Sequence, residues 1–296
     1  NMDVLTPEGI TLVVDIPIAA GFTGDKKINH ISINGNKAIV SVAYGVSVFD
    51  LDRKEFGDTC FFVNGSNYTA AAESVIKDDK VFTATATGIF VHDLNVTFPV
   101  FSTWNNVFSG NFTQIANDGS LVVAAPNQAF IWNGTSFSGF GGGFSAISDV
   151  VVSGQDIVIA DNSTVKVYNA SGAIIKQANF SERVNTGIQA SSQLYAGTLL
   201  NGIKDQSGNL LKPDGPYNNR SYRIDILGNQ IVIASGNRDD YLNPLYTNLG
   251  YYHFDGTKWN YPNFFISPLR NWDIIDAVIN RNKPEEIFFT NYSLIP

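Results

Sequence analysis

Histidine is the side chain best suited to general acid–base catalysis and metal binding near neutral pH. The chain contains three histidines: His30, His92 and His253. Each lies in an apolar, strand-like run, and His92 occupies the position that Phe49 has in a sister repeat. The sequence lacks a histidine pair at metal-ligand spacing, a nucleophile elbow and a phosphate-cradling glycine loop. We therefore predict structural roles for the histidines, and no catalytic residue, metal site or cofactor.

Molecular recognition is the chemistry that suits the stretch SGNRDDYLNPLYTN, which begins at Ser235. It combines charge, aromatic faces and amides, a mixture that fits a glycan or a protein surface. Its candidate binding residues are Arg238, Asp239, Asp240, Tyr241 and Tyr246. The alternative interpretation of the stretch is a solvated loop.

A second candidate lies in KPDGPYNNRSY, residues 212–222, where two prolines flank an Asp-Gly pair and predict a stiff turn. Its candidate binding residues are Asp214, Tyr217 and Arg220. The turn either positions a binding face or only locks neighbouring elements together. The glycine-rich string GFGGGF at residues 139–144 is not followed by a helical pattern, so we interpret it as a connecting loop.

The elements that position these loops are strands, because short apolar runs bounded by Gly, Asn or Asp recur along the chain. Runs such as AIVSVAYGVSVFDL and VFTATATGIFVHDL repeat at intervals of 36–43 residues. Several strands in each period of this length are typical of a β-propeller. Gly45 and Gly88 hold the same place in two repeats, at a tight turn that favours positive φ.

Six whole units can be counted, at residues 27–63, 67–108, 111–144, 145–180, 185–218 and 219–265. The opening NMDVLT resembles the third strand of a unit, and the closing IDAVIN and EEIFFT resemble the first and second. We therefore predict an all-β, seven-bladed β-propeller, formed by residues 1–296 as a single domain. A seventh blade shared by the two ends would pair edges that are otherwise exposed. The two candidate loops belong to adjacent blades and are predicted to form one binding face.

Composition limits the class of partner. Apolar residues make up 44% of the 296 positions, charged residues make up 16%, and the net charge of −8 is spread without blocks. A chain without a Lys/Arg track is not expected to bind nucleic acid. Cys60 is the single cysteine and is predicted to be buried. No apolar run reaches the length of a transmembrane segment, and Asn1-Met2 is expected to be a domain start within a larger protein.

Several strings resemble the propeller region of PorZ-like proteins, which carry repeats of the two-component-regulator type. The most specific is DKKINHISINGNKAIVSVAYGVSVFDLDRKEFGDTCF, and NMDVL and KPDGPYNN are also similar to family strings. The resemblance implies two seven-bladed propellers and a C-terminal β-sandwich in the complete protein, with this chain as the second propeller. It supplies no catalytic residue.

The resemblance also implies an exported component of the type IX secretion system, at the outer-membrane surface or in the periplasm. Its expected partners are a PorU-like sortase, other secretion components such as PorV and PorQ, and an anionic lipopolysaccharide or other glycan. Two alternatives remain open. One is the periplasmic sensor propeller of a hybrid two-component regulator, which binds an oligosaccharide. The other is a propeller carbohydrate enzyme, which would need paired carboxylates or a His–carboxylate pair on the axial face.

Overall fold

The computed structural model describes residues 2–7, 9–18, 24–199, 201–211, 215–216, 220–247, 249–260 and 273–292, and most of these form consecutive antiparallel hairpins. These residues belong to two compact units, Asn1–Leu211 and Lys212–Pro296, called unit 1 and unit 2. Among the described residues, helix is limited to α1 (Asp15–Ile18) and one 3₁₀ turn, Phe101–Thr103. The predicted all-β class is confirmed.

Unit 1 begins with a two-stranded sheet of β1 (Met2–Thr6) and β2 (Gly9–Val13). Five four-stranded antiparallel sheets follow, called blades 1 to 5, each with its strands in chain order. Blade 1 contains β3 (Ile28–Asn34), β4 (Lys37–Val42), β5 (Gly45–Asp50) and β6 (Glu55–Phe61). A separate small hairpin, β7 (Val63–Asn64) and β8 (Asn67–Tyr68), leads to the next blade.

The remaining blades of unit 1 repeat this order. Blade 2 contains β9 (Ala71–Lys77), β10 (Lys80–Thr85), β11 (Gly88–Asp93) and β12 (Asn105–Ser109). Blade 3 contains β13 (Gln114–Asp118), β14 (Ser120–Ala125), β15 (Gln128–Trp132) and β16 (Phe137–Phe140). Blade 4 contains β17 (Ile147–Ser153), β18 (Asp156–Asp161), β19 (Thr164–Tyr168) and β20 (Ile174–Asn179). Blade 5 contains β21 (Val184–Ala190), β22 (Gln193–Thr198), β23 (Ile203–Asp205) and β24 (Leu210–Leu211).

Unit 2 contains one more four-stranded sheet and a closing pair of strands. Blade 6 consists of β25 (Arg223–Leu227), β26 (Gln230–Ala234), β27 (Tyr251–Phe254) and β28 (Trp259–Asn260). The pair is β29 (Asp273–Ile279) and β30 (Ile287–Tyr292). The six whole units read from the sequence therefore correspond to six four-stranded sheets among the described residues. Each end of the chain adds a two-stranded sheet, and the seventh, shared blade stays a prediction.

Within each unit the core lies between consecutive sheets, where the face of one packs on the face of the next. Blades 2 and 3 share one apolar cluster, which includes Phe82, Ile89 and Leu121. Similar clusters join blades 1 and 2, 3 and 4, and 4 and 5. Met2 and Val13 of the opening hairpin pack on blade 1 in the same way. Within unit 2, β29 packs on blade 6. Each terminal hairpin thus contacts its neighbour as a blade would.

The turn between β4 and β5 confirms the predicted use of glycine. Gly45 has φ +140°, and a Cβ there would come within 2.1 Å of the carbonyl oxygen of Cys60. Gly9 has almost the same φ, +139°, but a Cβ would meet no atom within 4 Å. Alanine substitutions at these two positions therefore separate the energetic cost of positive φ from the cost of a steric clash.

We expect Gly9→Ala to lower the free energy of unfolding by about 1–2 kcal/mol, because of backbone strain alone. Gly45→Ala should cost about 3 kcal/mol or more, because its Cβ also displaces the β6 backbone. Urea denaturation of the two variants measures the difference. Equal losses would show that close packing of the Gly45 turn is unimportant.

Candidate functional site

The stretch highlighted by its charges and aromatics forms a long loop between β26 and β27, called the insertion loop, residues 235–250. Asp239 organises its tip. One carboxylate oxygen accepts the backbone N–H groups of Tyr241 (2.9 Å) and Asn243 (2.8 Å), and the other accepts the Asn243 side-chain amide (3.0 Å). These hydrogen bonds, led by the one from the Asn243 amide, lower the pKa of Asp239. Asp239 therefore holds the backbone of the loop tip in place.

The same arrangement occurs in an ordinary blade turn. Between β23 and β24, Asp205 accepts the backbone N–H groups of Ser207 (2.9 Å) and Asn209 (2.8 Å) and the Asn209 amide (2.9 Å). In both turns the first residue is Asp and the fifth is Asn, and the backbone N–H of the Asp donates to the backbone carbonyl of the Asn at 3.0 Å. The insertion loop is thus a local turn motif placed inside a longer connection, which explains its defined shape.

Asp273, the first residue of β29, holds the base of the insertion loop. Its carboxylate is fully buried and accepts the backbone N–H groups of Asn237 (3.3 Å) and Tyr246 (3.2 Å). It also accepts the hydroxyl of Thr247 at 3.1 Å. A buried carboxylate is stable only with such partners. Sequence reasoning did not identify Asp273, because it is 26 residues away from Thr247 and no local pattern links them.

The tip of the insertion loop faces solvent. Tyr241 is 86% exposed and Asp240 is exposed beside it, whereas Tyr246 is 37% exposed at the base. The Arg238 guanidinium donates to the backbone carbonyl of Leu242 at 2.6 Å. The structure therefore brings all five predicted residues of this stretch into one loop, with Tyr241 as its most prominent ring.

The stiff turn at residues 212–222 is described only in part. Arg220 is exposed, ahead of Tyr222, whose backbone N–H donates to Ala234 in blade 6. The predicted residues Asp214 and Tyr217 lie outside the described residues. Whether the two candidate stretches form one face stays a prediction.

Two acidic side chains on the first strands of their blades, called inner strands, were missed by the sequence reasoning. Glu73 of blade 2 accepts the backbone N–H of Ile115 in blade 3 at 2.9 Å. Asp149 of blade 4 accepts the hydroxyl of Thr186 in blade 5. Each follows a bulge near the start of its inner strand, as His30 does in blade 1. That shared position in the repeat is the signal that could have identified them.

The surroundings of these groups alter their protonation. Burial, with a smaller contribution from the charge of Asp149, raises the pKa of Glu73 to about 7 against the effect of the Ile115 hydrogen bond. Burial also raises the pKa of Asp149 and lowers the pKa of His30. Nδ1 of His30 is buried without a hydrogen-bond partner. The charge of Asp149 in blade 4 thus acts on Glu73 in blade 2, although both side chains are hydrogen-bonded to neighbouring strands.

The other two histidines contact polar groups of their own or neighbouring strands and loops. Buried His92 contacts the carbonyl of Asp93 (2.7 Å) and the hydroxyl of Thr103 (2.8 Å), and its ring stacks on Trp104 at 5.2 Å. Nε2 of His253 contacts the Gln230 amide oxygen at 3.1 Å. Within the described residues, no cluster of His, Cys, Asp or Glu has the arrangement of a metal site, and no helix is long and apolar enough to cross a bilayer.

Residues 1–105 match the family model of the PorZ N-terminal β-propeller domain of the type IX secretion system. The predicted resemblance to PorZ-like proteins is confirmed. Because the matching model describes the N-terminal propeller, the interpretation of this chain as the second propeller is corrected for these residues. No curated protein matches the chain.

Solved structures give the fold. PorZ of Porphyromonas gingivalis, described as an essential bacterial surface component of the type IX secretion system, superposes with a TM-score of 0.67 at 17% identity. The match covers 97% of this chain, which spans 40% of the PorZ chain. The extracellular domain of the putative one-component system BT4673 from B. thetaiotaomicron gives 0.50 at 14% identity, over 89% of this chain and 37% of that one. The WD40 β-propeller of Doa1 also gives 0.50, at 13% identity over 91% of both chains. The chain has a β-propeller fold.

We expect Glu73 to make folding depend on pH. Its folded pKa of about 7 exceeds the ordinary value of 4.5, so the native state holds the proton more tightly than the unfolded chain. The resulting stabilisation is fully present below about pH 4.5 and is lost as the pH rises through 7. Glu73→Gln should remove roughly 1–3 kcal/mol of this dependence.

Urea denaturation between pH 5 and pH 8 measures the effect, with Glu285→Gln as the control at an exposed carboxylate. The Glu73 variant should be more stable than the native chain at pH 8, because glutamine can still accept the Ile115 hydrogen bond without burying a charge. The same pH slope in the native chain and in Glu73→Gln would contradict the assignment.

Proposed function

We propose that the chain is a non-catalytic β-propeller binding module of a PorZ-like cell-surface component of the type IX secretion system. In this proposal it takes part in assembly of the sortase complex and in presentation of anionic lipopolysaccharide. The observation that carries the proposal is the match of residues 1–105 to the PorZ propeller model. The structural similarity to PorZ over 97% of the chain supports the same kind of protein.

The absence of catalysis is supported by how the candidate acids are used. Glu73 and Asp149 accept hydrogen bonds from neighbouring inner strands, and the ring nitrogens of His92 are both engaged. A general acid or base must instead reach the proton that it transfers. We therefore assign these groups to the propeller framework and place recognition in the loops.

The proposed recognition surface consists of the insertion loop and the stiff turn. Tyr241 and Tyr246 offer aromatic surface, and Asp239 fixes the loop that carries them. An anionic glycan needs local cations, because the chain as a whole carries a charge of −8. Arg220 and Arg238 supply those cations. Asp214, Tyr217 and Asp240 complete the proposed surface.

A second candidate function is that of a sensor propeller that binds an oligosaccharide outside the cytoplasm. It is supported by the similarity to the extracellular domain of BT4673, at a TM-score of 0.50. A neighbouring C-terminal β-sandwich in the complete protein would favour secretion, whereas a transmembrane helix with a kinase would favour sensing. In both cases the module is exported, to the outer-membrane surface or the periplasm.

We also propose that the two terminal hairpins form a seventh blade, in which β30 pairs with β1, and that residues 1–296 make one domain. Each hairpin already packs on its neighbour through an apolar cluster, Met2 and Val13 on blade 1 and Ile274 and Ala277 on blade 6. Without such pairing, strand edges would be exposed.

Hydrogen exchange measured by NMR tests this closure. In a two-stranded sheet, alternate amides of β30 face away from β29 and exchange fast, whereas a shared blade protects every amide in the strand. We expect full protection in the intact chain, and loss of protection at alternate β30 amides when residues 1–14 are removed. Fast exchange at alternate amides of the intact chain would overturn closure.

For recognition, we expect Arg220→Ala combined with Arg238→Ala to weaken binding of anionic lipopolysaccharide or of the sortase by about tenfold or more, because charge-assisted hydrogen bonds are lost. Surface plasmon resonance measures both affinities. Arg53→Ala with Lys54→Ala, exposed cations of blade 1, is the control with the same change in net charge. Unchanged melting temperatures would confirm the fold, and unchanged affinity for both partners would exclude this surface.

A further inference from the structure

A cleft of about 340 Å³ lies in unit 1 beside the glycine-rich connection between blades 3 and 4. Its walls include the half-buried rings of Phe130 and Phe144 and the exposed side chains of Asn127 and Gln128. The backbone of Gly141–Gly143 forms one rim. Aromatic faces next to a few amide groups are the usual composition of a small-ligand pocket.

No charged residue lines this cleft, although the chain carries a net charge of −8. The ammonium group of Lys166 lies 5.7 Å from the centre of the Phe144 ring. It is also 3.9 Å from the buried carboxylate of Asp161, which balances its charge. The chemistry of the lining therefore selects an uncharged ligand.

The cleft is held open by packing. Gly141 has φ +63°, and a Cβ there would lie 3.0 Å from the Phe144 ring and 3.1 Å from Tyr168. Phe144 packs against Tyr168 at 5.9 Å between ring centres, and Tyr168 belongs to the core between blades 3 and 4. The aromatic wall is therefore attached to the core, so a ligand does not have to order it.

We propose that this cleft binds one sugar residue of a neutral glycan. The carbon-bound face of a pyranose is apolar and packs on an aromatic ring, while its hydroxyls pair with groups that both donate and accept. The amides of Asn127 and Gln128 have both capacities. The bare backbone of Gly142 lets the sugar approach without a side chain between them. No cation lines the cleft to pair with an anionic sugar, which distinguishes this subsite from the arginine-containing surface of unit 2.

Binding is measured by NMR titration of the isotope-labelled chain with neutral tetrasaccharides of glucose, mannose, galactose and N-acetylglucosamine. At least one should shift the amide resonances of residues 139–144 with a millimolar or lower Kd. The plug variant Gly142→Leu should weaken that binding at least tenfold. Its backbone φ is compatible with a side chain, and a Cβ there meets no atom within 4 Å. Ser138→Leu, outside the cleft in the same hairpin, is the matched control.

A second variant, Asn127→Ala with Gln128→Ala, leaves the glycine connection intact and should also weaken binding. Arg220→Ala with Arg238→Ala should have no effect, so failure of the lipopolysaccharide proposal and failure of this one can be told apart. The proposal is overturned if none of the tetrasaccharides binds, if Gly142→Leu binds as well as the native chain, or if only an extended peptide shifts these resonances.

Discussion

Burial of apolar sheet faces against neighbouring sheets is the constraint on which the rest of the structure depends. An isolated four-stranded sheet exposes two faces, and here apolar clusters join consecutive sheets within each unit. The largest fully buried side chains include Ile39, Leu121, Ile157 and Leu194, one from each of four blades. Each contributes roughly 1.5–3 kcal/mol when it leaves water. The terminal hairpins also bury apolar surface: β1–β2 and β29–β30 each pack one face on a neighbouring blade.

Polar side chains connect the inner strands where apolar packing cannot. The backbone groups of an inner strand are largely used within its own sheet, so links between blades come from side chains such as Asn29, Ser148 and Asp149. Glu73 shows the energetic cost of such a side-chain link. Its hydrogen bond to Ile115 requires a buried carboxyl group, and burial displaces its pKa by more than the hydrogen bond restores. A displaced pKa in this fold is therefore compatible with a framework role as well as with catalysis.

The loops show how a rigid frame can present different surfaces. The insertion loop repeats the Asp-to-Asn turn of blade 5 and anchors it on buried Asp273. Its tip is therefore defined by local hydrogen bonds and its base by a tertiary contact. The glycine-rich connection between blades 3 and 4 differs from this loop, because its glycines have no side chains and leave space beside Phe144. One loop offers arginine and tyrosine side chains, and the other offers an uncharged cleft.

The sequence by itself determined the features that depend on local patterns. The recurring apolar runs located the six four-stranded sheets, and the glycines of tight turns, such as Gly45, marked hairpins because only local φ decides them. The candidate loop around Asp239 was also found, from its composition. Only the tertiary structure decided the role of Asp239 in that loop, the contact of Asp273 with Thr247, and the effect of the Asp149 charge on Glu73. The physical reason is that such contacts join residues far apart in sequence, whose approach is set by how the sheets pack and not by any local period.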